Sequence, residues 1–197
     1  MARILHIFAH PGLASSQINA AMWHAAGRVE GITSVDLYAE NPRYEIDVAA
    51  QQNRLEAHDV LLLQFPMFWY SAPALLKEWI DLVLSRGFAY GAGGDRLAGR
   101  TMQLAVSTSA PAEAFGPDGY QNFPLRTFLT PFEQTARLCG MRFLAPYVRH
   151  DALHGDGSAH AQGFARLLAG LRDGRLDMDR AQAADALFHD TLPLREG

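Results

Sequence analysis

Apolar residues along this chain fall into two rhythms. Short, nearly unbroken runs, Ile4 to Phe8 (interrupted by His6), Val60 to Phe65, Met102 to Val106 and Phe143 to Val148, read as strands, and Val60 to Phe65 as one buried on both faces. Val35 to Tyr38 adds a further short strand. Between the runs lie stripes at helical spacing. The first is Ile18, Ala21, Met22, Ala25, Ala26 and Val29, opened by a Ser16 cap and closed by Gly31. A more polar helix spans Ile46 to His58. Leu75, Leu76, Trp79, Ile80 and Val83 form a third, with Ser71 as N-cap, Pro73 in its first turn and Gly87 as its stop. Thr130-Pro131-Phe132-Glu133 reads as a capping box for a helix ending at Cys139-Gly140, and Phe164 to Leu171 begins a final helix. Strands alternating with helices, without repeat or linker, predict one α/β domain over residues 1–197: a parallel sheet with helices on both faces and right-handed crossovers.

In such a sheet, ligands bind at loops beyond the carboxyl ends of the strands. Two loops carry residues suited to that. After the Val60 strand, Pro66-Met67-Phe68-Trp69-Tyr70 puts three aromatics in a row, which suits a flat, partly apolar ligand; the plainer reading is a plug on the core. After the first strand, His10 is followed by Ser15, Ser16, Gln17, Ile18 and Asn19 at a helix start, where free N–H groups and the helix dipole favour an anion. No lysine or arginine occurs from Ile4 to Gly27, so a phosphate there would be held by hydrogen bonds alone.

Other candidates are weaker. Gly91 to Gly99 is glycine-rich but fits no phosphate-loop fingerprint, and no dinucleotide G-x-G-x-x-G is present. His150, Asp151, His154, Asp156 and His160 match no standard metal spacing and read as a solvated loop, so no metal is expected. Cys139 reads as a core thiol.

The ordered series Gln64-Phe-Pro-Met-Phe-Trp-Tyr70, Pro73-Ala-Leu-Leu-Lys-Glu-Trp-Ile-Asp81, Gly87-Phe-Ala-Tyr-Gly91 and Leu97-Ala-Gly-Arg100 resembles the flavodoxin-like NAD(P)H:quinone oxidoreductases. That is the family of DT-diaphorase, the modulator-of-drug-activity proteins and the ancillary quinone oxidoreductases of glutathione-gated potassium efflux systems. The likeness runs from Arg3 to about Tyr147. It implies the flavodoxin-like fold, a five-stranded parallel sheet of order 2-1-3-4-5, which the alternation also matches. It further implies a homodimer with FMN, or FAD, as cofactor and NAD(P)H as co-substrate. Two electrons would pass to a quinone-like acceptor. A regulatory subunit of a potassium efflux membrane protein, or a reductase of azo or nitro compounds, are the alternatives. The short chain favours FMN. By the same resemblance His10, Ser16, Gln17, Ile18 and Asn19 would hold the flavin phosphate. Pro66, Met67, Phe68, Trp69 and Tyr70 would flank its ring. The loop Ser107-Thr108-Ser109-Ala110 would meet its pyrimidine end; relatives read Thr-Thr-Gly-Gly there, so two glycines are missing. Tyr120 could donate to a quinone oxygen, although a surface or dimer-contact tyrosine is the plainer reading.

Composition narrows the setting. At 197 residues and 49% apolar, the chain can bury a sizeable core. A net charge of −4 argues against nucleic acid and anionic membranes. One cysteine excludes an internal disulfide and suits a reducing compartment. With no signal-peptide pattern and no long apolar run, the expectation is a cytoplasmic protein, at most peripheral at the inner face of the membrane.

Overall fold

The computed structural model describes residues 1–13 and 16–195. Its centre is a six-stranded sheet of order β2-β1-β3-β4-β5, with β6 also paired to β4. The strands are β1 (Ile4–Phe8), β2 (Ile32–Asp36), β3 (Val60–Pro66), β4 (Thr101–Ser107), β5 (Arg142–Phe143) and β6 (Tyr147–Arg149). All these pairings are parallel. The crossovers are α1 (Gln17–Ala26), α2 (Leu37–Glu40), α3 (Val48–Glu56), α4 (Ala74–Val83), α5 (Leu125–Phe128) and α6 (Thr130–Leu138), followed by α7 (Ser158–Arg172) and α8 (Met178–Ala183).

Strand alternation divides the core into two layers. Leu5, Ile7, Leu61, Leu63, Phe65, Leu104 and Val106 join Trp79 of α4 and Phe132 of α6 on one face. Ile4, Leu62 and Ala105 join Met22 of α1 and Phe164 of α7 on the other. Trp79 is wholly buried and its indole N–H donates to Gln51 Oε1 at 3.1 Å, so its one polar atom is satisfied. α7 makes room for the tail with two glycines: a Cβ at Gly163 would sit 2.4 Å from His189, and one at Gly170 would sit 2.5 Å from Leu194. No helix among the described residues is long and apolar enough to cross a membrane.

Several boundaries differ from the sequence expectations, each for a local reason. β2 starts at Ile32 and stops at Asp36, because the Asp36 carboxylate accepts from the Tyr38 and Ala39 N–H groups and opens α2. α1 ends at a Gly27 cap before Gly31 is reached. Thr130 lies inside α6 with Leu129 as N-cap, and its hydroxyl donates to Thr127 O. Glu133 spends its carboxylate on Arg126 and Arg137, so no capping box forms. The run from Phe143 to Val148 splits at Pro146, which has no N–H for the ladder. Around that break Ala145 N–H turns to Ala181 O, and Pro146 O accepts from Leu187 N–H. The tail thereby joins the sheet edge, with a parallel bridge from Tyr147 to Leu187. His160 belongs to α7 and is buried, so the polar loop is shorter than expected and α7 is not the last helix.

Candidate functional site

A cleft of about 340 Å³ opens at the carboxyl ends of β1, β3 and β4, lined by His10, Ser16, Gln17, Asn19, Pro66 to Phe68, Ser107 to Ser109, and Ala152 and Leu153. Among the described residues no Asp, Glu, Lys or Arg borders it, and His10 is its one titratable side chain near neutral pH. A second hollow of about 160 Å³ shares Met67, Thr108 and Ser109 with the first, and continues past Trp69, Tyr70, Ala110, Phe115 and Gln121.

Its floor is built by a hydrogen-bonded seam through the core. His6 and Gln64 project from β1 and β3 onto the α1 side of the sheet, and both are wholly buried. His6 Nδ1 lies 3.1 Å from Ser34 Oγ, and His6 Nε2 lies 2.9 Å from Gln64 Oε1. The Gln64 amide donates to Asn19 O at 3.0 Å. The Asn19 amide in turn donates to Ser107 Oγ at 2.9 Å and Ser16 Oγ at 3.1 Å. With Gln64 Oε1 as acceptor, the ring proton sits on Nε2 and Ser34 donates to Nδ1. Burial pushes His6 down to about 4, against the Gln64 hydrogen bond, so the neutral ring is the native form. The direction matters at the far end. Ser16 and Ser107 accept from Asn19, which leaves both hydroxyl protons available to the cleft.

Ser16 stands at the N-cap of α1, yet its side chain makes no cap bond; it is spent on Asn19. Among the described residues no side chain caps the first-turn N–H groups of α1, and Ser16 and Gln17 at that helix start line the cleft. His10 Nδ1 accepts from Gly12 N–H at 3.0 Å, so the neutral ring carries its proton on Nε2. Burial lowers His10 and Asp36 opposes that. The cradle thus offers donors without a cation.

The opposite wall is aromatic and strained. Phe68 and Ser71 exchange backbone hydrogen bonds of 2.9 and 3.0 Å around Trp69 and Tyr70. Both central residues have positive φ, 44° and 66°, as in a type I′ turn. Left-handed backbone costs a non-glycine residue about 1–2 kcal/mol. Ser71 is occupied in this turn, and Pro73, not Ser71, caps α4. Trp69 is 92% exposed and Tyr70 46%.

The sequence-predicted site residues are therefore mostly brought together, with exceptions. The Ile18 side chain lies in the core against Gly157, where a Cβ would approach it to 2.3 Å, so only its main chain faces the helix start. Tyr120 is 69% exposed and borders neither hollow. Ser15 lies outside the described residues. Ala152, Leu153, Phe115 and Gln121 were not foreseen. Leu153, 76% exposed, was the signal for the first pair: a leucine in a run that otherwise reads as polar. Cys139 is buried at the end of α6 and its thiol is pushed up by that burial.

A family model described as "Flavodoxin-like fold" matches residues 2–173. The chain is 40% identical over 172 residues to the glutathione-regulated potassium-efflux system ancillary protein KefG of Cronobacter sakazakii, covering 85% of this chain and 93% of that one. Among solved structures, general stress protein 14 of Treponema denticola, in complex with FMN, superposes with a TM-score of 0.79 and 36% identity over 87% of this chain and 98% of the other. An NADPH-quinone reductase from P. pentosaceus gives 0.75 and 30% over 84% and 96%.

Proposed function

The chain belongs to the flavodoxin-like fold family, and from that premise we propose that it binds FMN in this cleft and passes two electrons from NAD(P)H to a quinone-like acceptor. One observation carries the reading: a cation-free cradle of donors adjoins an aromatic wall, the two chemistries of a phosphate and a flat ring system. The Ser16 and Ser107 hydroxyls, turned outward by Asn19, and the first turn of α1 would hold the phosphate. His10 would add its Nε2 proton. Met67, Phe68, Trp69 and Tyr70 would flank the ring, and the loop Ser107–Ala110 would border its far edge. Bound flavin supplies the hydride chemistry. The protein's part is to orient donor and acceptor in the second hollow, which Trp69 and Tyr70 leave open. Phe68, Trp69, Tyr70 and Tyr120 are apolar and exposed, and a second copy of the chain covering them would complete that hollow.

The likeness to an efflux-system ancillary protein supports a second role alongside the first, regulation of a potassium-efflux partner by the same flavin site.

Two measurements test the proposal. Purified protein should titrate with one FMN per chain, and a sample unchanged in flavin fluorescence by excess protein would reject the cofactor. Because both substrates use one opening in turn, double-reciprocal plots should be parallel. Intersecting lines would mean that they bind together.

A further inference from the structure

Behind the shared wall of the two hollows stands a histidine that the proposed reaction does not use. His150 follows β6, and its ring lies between Phe115, at 5.2 Å, and Phe188, at 6.3 Å between centroids. Its Nδ1 is 3.3 Å from Thr108 Oγ1. Phe188 comes from the tail, beyond residue 173 where the family match ends. We propose that His150 is a positioning residue for the bound flavin: its Nδ1–H pins the loop Ser107–Ala110, clamped in place by the tail, so that two unspent main-chain donors face the ring. The inference rests on the flavin reading above.

The direction of the bond follows from the neighbours. Thr108 Oγ1 already donates to Ala110 O at 2.8 Å, so toward His150 it can only accept. Burial and Arg149 lower His150 while Glu113 opposes them, and a neutral ring has one proton to place. Thr108 fixes it on Nδ1. The same stretch adds three main-chain bonds: Thr108 N–H to Arg149 O, Asp151 N–H to Ala110 O and Ala152 N–H to Thr108 O. The loop is thus docked on 149–152 along its length. None of its residues has positive φ; the left-handed position is Asp151, at 52°, on the supporting strand's turn. Ser109 and Ala110 N–H have no hydrogen-bond partner among the described residues, and both residues border the second hollow. Donors held rigidly there favour the electron-rich, reduced form of a ring more than the oxidised form, because they need not reorganise as charge grows.

His150→Phe keeps an aromatic ring between Phe115 and Phe188 and deletes the donor. His150→Asn places an amide N–H near Nδ1 and deletes the ring. We expect His150→Phe to raise the FMN dissociation constant about three- to tenfold, the ratio that one lost hydrogen bond gives. It should also make the flavin midpoint potential more negative and speed amide hydrogen exchange in residues 108–110. His150→Asn should restore the potential and the exchange protection. Potential and exchange in His150→Phe equal to wild type would overturn the proposal, as would equal shifts in both variants, which mean that the ring only packs. Wild-type protein that binds no FMN would reject the flavin reading and this role together. Exchange rates in the same variants, which need no flavin, still report whether the pin exists.

Discussion

Ser34, His6, Gln64, Asn19 and Ser107 form a line behind the cleft in which each link joins a donor to an acceptor and the middle members are sealed from water. In front of it stands the turn Phe68-Trp69-Tyr70-Ser71, exposed, aromatic, and closed by two main-chain bonds, with Tyr70 leaning on Phe128 at 4.8 Å and Phe68 on His10 at 6.1 Å between ring centroids. The first region is stabilised by its own satisfaction. The second is strained at the cost of the fold, the state expected of a surface whose compensation comes from something it binds. Substitutions in the seam should therefore change stability first and binding through it. Substitutions in the turn should change binding without loss of stability.

The largest contrast lies at Gln64. Leucine there leaves the buried His6 Nε2–H without a partner, at about 1–3 kcal/mol, and removes the second bond to Asn19 O, which keeps its helical partner in α1, at about 0.5–1.5 kcal/mol. Urea denaturation should show Gln64→Leu about 3 kcal/mol less stable, and the Asn19 side chain, without its 3.5 Å contact to Gln64, should aim the Ser16 and Ser107 hydroxyls less firmly and lower flavin affinity. A loss under 1 kcal/mol would mean that the seam relaxes or takes in water, and the contrast with the turn would fade.

Acid should pick out the seam next. The unfolded chain protonates histidine near pH 6.5, but native His6 is lowered to about 4 by burial, and His160 to about 3 by burial, Arg149 and His189. Between those values the unfolded state binds more protons. Stability therefore falls as pH drops through the window from about 6.5 to 4, and the His6 contribution levels off below it, by on the order of 3 kcal/mol. Phe68 and Trp69 carry no titrating group, so the turn has no part in this loss. Comparing denaturation at pH 7 and pH 4.5 in wild type and His6→Gln checks it: the variant's slope should be flatter. Equal slopes would place the acid sensitivity elsewhere.

The two regions were unequally legible in the sequence. Unbroken apolar strands and helical stripes predicted the alternation and the parallel sheet, because both rhythms depend on local spacing, whereas the strand order was implied by the family resemblance, which the alternation only matched. The aromatic run was visible as a run, but its turn was not: a type I′ turn is normally announced by asparagine and glycine, and here aromatics fill it, so Ser71 read as a helix cap. Of the seam, His6 showed only as an interruption of β1. Its partnership with Gln64 depends on the parallel register of β1 and β3 and on where α1 lies, neither of which is encoded within a few residues of His6. Thr130-Pro131-Phe132-Glu133 failed in the opposite way: the motif is present, but α5 ends just before it and arginines take the glutamate. The division at Pro146 was open to a stricter reading, since proline inside a strand removes a ladder donor.

The smallest expected effect is also the one of opposite sign. Asparagine tolerates left-handed backbone far better than tryptophan, and at 92% exposure Trp69 has little packing to lose. Trp69→Asn should then raise stability by about 1 kcal/mol in the flavin-free protein, where nothing repays the strain. The same change removes an aromatic surface whose stacking is worth ~0.5–1.5 kcal/mol beyond area burial, so reduction by NAD(P)H and reoxidation by a quinone should both slow. The pairing of signs is what matters. A variant less stable than wild type would show that Trp69 supports the fold, and the turn would then resemble the seam. Gained stability with both half-reactions untouched would leave the strain without a use, and would move the aromatic contact to Phe68 or Tyr70.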